Sequence, residues 1–207
     1  MDVSGRFLIS GSMARKQKAR NLKKRRSVLI GAGPTEKAYI EHLTHINGYR
    51  IETHPRFCKN DTPYYMDKFV QRVLEDGGMA VCLYDEDESE RSAKIQQKLD
   101  EFVAKYRNNP NVMLCGSMPS IEYWFLLHYE KTNRYYGTSK RVIKALNKHM
   151  EFEKTEKFLS RPGWVETLLA DGRMQQAMRN AEELGTDGES YTHIPDAIRF
   201  LEKHKKK

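Results

Sequence analysis

The sequence predicts an α/β protein: a parallel, mostly four-stranded sheet flanked by helices, followed by a helical C-terminal extension. Three observations carry this expectation. Short apolar runs alternate with helical periodicity over about the first 130 residues, the signature of strand-helix-strand units. One of those runs, "MAVCLY" (79–84), is apolar throughout, as a strand covered on both faces must be. From about Thr138 onward only helical periodicity remains.

The first strand is Ser27 to Ile30, and a Gly-rich turn (Gly31, Gly33, Pro34) leads into a helix from about Pro34 to Ile46, ended by Asn47-Gly48. "YRIETHPRF" (49–57) reads as a second strand. Thr62 and Pro63 suit the N-cap and first position of a second helix. Its apolar face is Tyr65, Phe69, Val73 and Leu74, and Gly77-Gly78 stops it. "MAVCLY" is the third strand and runs into "DEDESE". A helix from about Ser89 to Arg107 follows, with a stripe of Ile95, Leu99, Phe102, Val103 and Tyr106. "NVMLCGS" (111–117) is the fourth strand, and "SIEYWFLLHYE" begins the next helix. In the extension, Pro162 opens a helix carrying Trp164, Leu168, Leu169, Met174, Met178 and Leu184, and Pro195 opens a last one.

With 207 residues, 39% of them apolar and 31% charged, the chain has material for one core, with at most a small appendage. Cys58, Cys82 and Cys115 form no Cys-x-x-Cys pair, so neither a zinc knuckle nor a disulfide framework is indicated. No apolar run reaches the roughly 18 residues of a membrane span, and no secretory signal is visible, so the reading is cytoplasmic and membrane-free. The net charge of +8 is concentrated at the ends. The leader "RKQKARNLKKRR" (15–26) carries Arg15, Lys16, Lys18, Arg20, Lys23, Lys24, Arg25 and Arg26 without an acid, and four lysines close the chain from Lys203. Such clusters bind phosphate backbones by counterion release, so nucleic acid is the expected partner, a solvated, disordered leader being the bland alternative. Residues 1–12 read as a vector-derived segment, 13–26 as the basic leader, 27–137 as the α/β domain and 138–207 as the extension.

Acidic residues gather where α/β sheets bind their ligands, at the carboxyl ends of strands. Glu36 follows the first strand, Asp85 and Asp87 the third, and Glu122 the fourth. In an extended segment Asp85 and Asp87 point to one side, and such a pair repels unless a cation or proton lies between. Oxygen donors of this kind suit Mg²⁺ or Mn²⁺. The bland alternatives are a solvated acidic turn for "DEDESE", a first-turn helix carboxylate for Glu36 and a helix cap for Glu122.

An apolar strand, a Glu-Gly turn and a later strand ending in Asp-x-Asp is the pattern of Toprim domains. More specifically, "VLIGAGPTEKAYIEHL" (28–43), "AVCLYDEDE" (80–88) and "SMPSIEYWFLLHYE" (117–130) together resemble the RloB-like family of bacterial defence proteins. The late "YTHIPDAIRFL" is similar to its closing segment. The resemblance implies a Toprim-like fold and an Mg²⁺-dependent nuclease with two ions, an anti-phage effector acting on RNA, tRNA included, more than on DNA. It also implies a phage trigger or a defence-system partner protein, and leaves a homo-oligomer open. Where the family places a glutamate before the glycine, this chain has Ala32. The other acids are in place and the N-terminus looks like a cloning scar, so Ala32 reads as a deliberate, inactivating replacement, a naturally degenerate member being the alternative.

By the same resemblance Asp85 and Asp87 hold one metal together with the carboxylate missing at Ala32. Glu36 holds a second with Ser120 and Glu122, and Lys154 steadies the scissile phosphate, a surface lysine being its bland alternative. His128 reads as a structural helix histidine before a base. Tyr64, Tyr65, Tyr135 and Tyr136 are candidates for base stacking. The competing reading is a Toprim-like module that binds nucleic acid or a phage trigger without cutting. A topoisomerase- or primase-like accessory is disfavoured, because neither an identifiable nucleophilic tyrosine domain nor a zinc motif is present.

Overall fold

The computed structural model describes residues 27–54, 62–87 and 92–205. The basic leader, the segment before it and the last two lysines lie outside the described residues. Among the described residues one sheet has five strands in the order β2-β1-β3-β4-β5. They are β1 (Ser27–Gly31), β2 (Glu52–His54), β3 (Met79–Asp85), β4 (Val112–Met118) and β5 (Tyr191–Thr192). β1 to β4 are parallel. β5 pairs antiparallel with β4, Ser117 opposite Thr192. The expectation of four strands, with nothing but helix after Thr138, is therefore corrected: the C-terminal part closes the edge of the sheet itself.

Period-two alternation along the strands divides the core. Leu29, Val81, Leu83 and Cys115 face one side. There they meet α1 (Pro34–Asn47), α4 (Ile121–Leu126) and residues of the later helices α5 (Ser139–Leu146), α6 (Glu156–Leu159), α7 (Gly163–Leu169), α8 (Arg173–Leu184) and α9 (Ile194–Glu202). Val28, Ile30, Ala80, Cys82 and Tyr84 face the other side, against α2 (Thr62–Glu75) and α3 (Ala93–Tyr106). On the larger side Phe125, Phe152 and Trp164 meet with centroids 5.3–5.6 Å apart. These tilted and edge contacts join α4 to the extension through buried aromatic area.

Local chemistry sets the helix ends. Pro34 starts α1, and Gly48, in the left-handed region at φ 66°, closes it. α3 starts at Ala93 with Ser92 at its N-cap, and the expected start at Ser89 lies outside the described residues. The single long helix expected after Pro162 is two helices. Asp171 and Gly172 take φ of 53° and 73° between them, and Asp-Gly turn chemistry overrides a continuous apolar stripe.

Candidate active site

β1 has β2 on one side and β3 on the other, so the chain reverses direction across the sheet between β1 and β3. Crevices form at the carboxyl ends of strands where that happens. The cleft found there has a volume of about 360 Å³, and Ala32, Gly33, Glu36, Asp85 and Lys154 are among its lining residues. Ala32 is held at the mouth by its N–H, which donates to the Leu83 carbonyl at 2.8 Å. The turn must contain glycines. A Cβ at Gly31 would stand 2.9 Å from the backbone nitrogen of Lys37, and one at Gly33 would stand 2.7 Å from Oε2 of Glu36. Close passage of helix α1 and of its own carboxylate explains both positions.

Three carboxylates converge from three strand ends. Glu36 is 4% exposed, in the first turn of α1. Asp85 ends β3 and accepts the Ile121 N–H on Oδ1 at 2.8 Å. Glu122, with no exposed surface, accepts the Ser120 hydroxyl on Oε2 at 2.6 Å. The Lys154 ammonium lies 3.0 Å from Glu122 Oε1. Ser120, at the N-cap of α4, spends its side chain on Glu122 rather than on the helix.

The electrostatics follow from this crowding. Desolvation and the neighbouring charges of Glu36 and Glu122 hold the Asp85 carboxyl well above the usual carboxylate range. Glu36 is raised by burial first and by Glu122 second, against the pull of its own N–H, Lys154 and Asp85. Burial draws the Lys154 ammonium down, but Glu122, Asp85 and Glu36 outweigh it, and its pKa is raised. Like charges brought together away from water behave this way, and such groups collect at functional sites.

The sequence-predicted residues divide. Ala32, Glu36, Asp85 and Lys154 line one cleft, and Glu122 and Ser120 join it through Lys154 and each other. Asp87, 8% exposed, instead lines a neighbouring hollow of about 570 Å³ with Met118, Tyr135 and Tyr191. Its N–H donates to the Pro119 carbonyl at 3.0 Å. His128 is buried, with Nδ1 2.9 Å from the Trp124 carbonyl, and desolvation lowers its pKa to about 4. Tyr136 is buried, whereas Tyr64 and Tyr135 are 43% and 58% exposed. The apolar wall of the cleft, Pro63, Met66, Ile95 and Leu99, had no signal in the sequence beyond membership of two amphipathic helices. Neither did the hydrogen bond between the Tyr191 hydroxyl and Glu86, 2.5 Å long.

Three carboxylates gather beside one ammonium, and oxygen donors of this kind are the type that hard divalent cations take. As they stand, among the described residues no three Asp, Glu, His or Cys side chains form a group that could hold a metal ion. No helix of the described residues is long and apolar enough to cross a membrane.

Comparison with protein-family models matches residues 28–201 to the RloB-like protein family. Comparison with curated proteins and with solved structures finds no match.

Proposed function

Taking as premise that this chain belongs to the RloB-like family, we propose that it is a divalent-metal-dependent nuclease of a Toprim-like kind, an anti-phage effector whose first substrate class is RNA, tRNA included. The observation that supports this most is the convergence of Glu36, Asp85 and Glu122 beside Ala32, in a cleft at the strand ends. A carboxylate at position 32 would complete a four-acid set facing one space. The protein as it stands is the crippled form of that enzyme.

Asp85 and Glu36 would hold the metal nearest position 32, and Glu122 a second one, with Ser120 fixing its carboxylate. When bound, Mg²⁺ or Mn²⁺ supplies an activated water and neutralises charge on the leaving oxygen. Lys154, 39% exposed at its side chain, reaches from the cleft edge and can exchange Glu122 for a non-bridging phosphate oxygen. The apolar wall from α2 and α3 seats the sugar and base beside the scissile bond and keeps water from other angles of attack.

The Lys154–Glu122 pair also favours a second reading. It balances part of the acidic charge from within the chain, as a module that binds nucleic acid or a phage trigger without cutting it would do. The two readings separate in one assay. This chain and Ala32→Glu are incubated with total tRNA, single-stranded RNA and plasmid DNA, in Mg²⁺ or in EDTA. Cutting by Ala32→Glu alone, and only in Mg²⁺, supports the nuclease. Binding without cutting by either form supports the module.

A further inference from the structure

The helices that wall the cleft also carry an exposed aromatic and cationic cluster for which the cleft's chemistry gives no account. Pro63 and Met66 on α2, and Ile95 and Leu99 on α3, line the cleft. Tyr64 and Lys98 are their immediate chain neighbours. Tyr64 is 43% exposed, although a tyrosine beside an apolar wall gains by turning inward. The Lys68 ammonium lies 4.3 Å from the centroid of its ring, and the Lys98 ammonium 5.8 Å. The Tyr65 ring meets Tyr64 edge-on at 5.4 Å and 76°. Tyr64 and Lys68 are one helical turn apart on α2, while Lys98 reaches the same ring from α3. The ring is therefore fixed in place by two helices while a large part of its surface stays in water.

We infer that Tyr64, Lys68 and Lys98 form a platform for single-stranded nucleic acid at the mouth of the cleft, where one base stacks on Tyr64 and the flanking phosphates meet the two lysines. An exposed aromatic ring held between cations is the element from which sequence-tolerant single-strand sites are built, because every base has a π-face and every linkage a negative charge. A duplex keeps its bases stacked inside and offers none to Tyr64. The platform thus selects single strands, loops and splayed ends over helices. Tyr64 lies in the first turn of α2, next to Pro63, which lines the cleft. The inference rests on the proposed reading that the cleft receives nucleic acid, but it requires no cleavage.

The test is binding by fluorescence anisotropy, with this chain as it stands. The probes are a labelled single-stranded RNA, the same sequence as single-stranded DNA, and a blunt RNA duplex of equal length. Tyr64→Ala should weaken both single strands about 5- to 150-fold, Tyr64→Phe should bind within about twofold of the parent, and duplex affinity should not change. Lys68→Gln combined with Lys98→Gln should reduce the slope of log affinity against log salt for single strands by about 1.4. Single-strand affinity unchanged in Tyr64→Ala, or an equal loss for the duplex, would overturn the platform. If single strands bind only through the cleft, so that Asp85→Asn changes their affinity and Tyr64→Ala does not, the platform fails while the reading of the cleft survives.

Discussion

Lys154→Gln should destabilise the protein in a way that depends on pH, and the structure fixes the sign. Glu122 is fully buried with Lys154 at 3.0 Å, and Glu36 and Asp85 also feel the ammonium. Breaking a buried pair by removing one partner costs about 3–5 kcal/mol. The Lys154 side chain is 39% exposed, so water replaces part of what is lost and about 1–3 kcal/mol is expected at pH 8. Glu36 and Asp85 have folded pKa values above their unfolded ones. Above the unfolded carboxylate value the folded state therefore holds more protons, and the group's contribution falls as pH rises toward the folded value. Removing the ammonium pushes both values further up. As pH falls the carboxyls escape repulsion by taking up protons, so the loss relative to the parent is smaller at pH 5 than at pH 8. The measurement is urea unfolding of parent and variant at pH 5 and pH 8, read as the difference in midpoint at constant slope. An equal loss at both pH values, or no loss at pH 8, would refute the coupling of Lys154 to the three acids.

Three further outcomes are expected. His128, whose pKa is lowered to about 4 by desolvation, should remain neutral by ¹⁵N imidazole shifts above about pH 5. It should also remove up to about 3 kcal/mol of stability as pH falls from the unfolded value near 6.5 to its folded value, since the unfolded state then binds the extra proton. Gly33→Ala, whose new Cβ would stand 2.7 Å from the Glu36 carboxylate, should cost about 1 kcal/mol in stability while lowering cleavage by the Ala32→Glu form at least tenfold. Gly116→Ala would meet Glu86 Oε1 at 1.7 Å and drive Glu86 off the Tyr191 hydroxyl. It should cost about 1–3 kcal/mol and raise hydrogen exchange at Thr192, where β5 pairs with β4.

How much of this was legible in the sequence depended on whether a feature was local. β3 could be read from an apolar run because both faces of that strand are covered. The acids at the strand ends could be read because each follows its own strand directly. Lys154 could not be placed against Glu122 from spacing. It is carried there by the chain beyond Phe152, whose ring is buried against Phe125 and Trp164, and that contact depends on the whole packed extension. β5 is two residues long, too short for alternation to show, and exists because Ser117 and Thr192 share a buried hydrogen bond of 2.8 Å. Asp87 illustrates the limit of period-two reasoning. The alternation places it on the side of Asp85, yet its N–H bonds to the Pro119 carbonyl just past β4, and the residue lines the next hollow. The helix expected from Pro162 onward is broken at Asp171-Gly172, a turn dipeptide inside an apolar stripe that alone reads as continuous.

The central claim is that the strand-end acids form a divalent-cation site whose completing ligand belongs at position 32. It is tested most directly by titrating Mn²⁺ into this chain, into Ala32→Glu, and into Ala32→Glu carrying Asp85→Asn, with free Mn²⁺ followed by electron paramagnetic resonance. One added carboxylate ligand should tighten binding at least about tenfold, about 1.4 kcal/mol, and Asp85→Asn should abolish the gain. Equal affinity in the first two proteins, or a gain that survives Asp85→Asn, would contradict the claim.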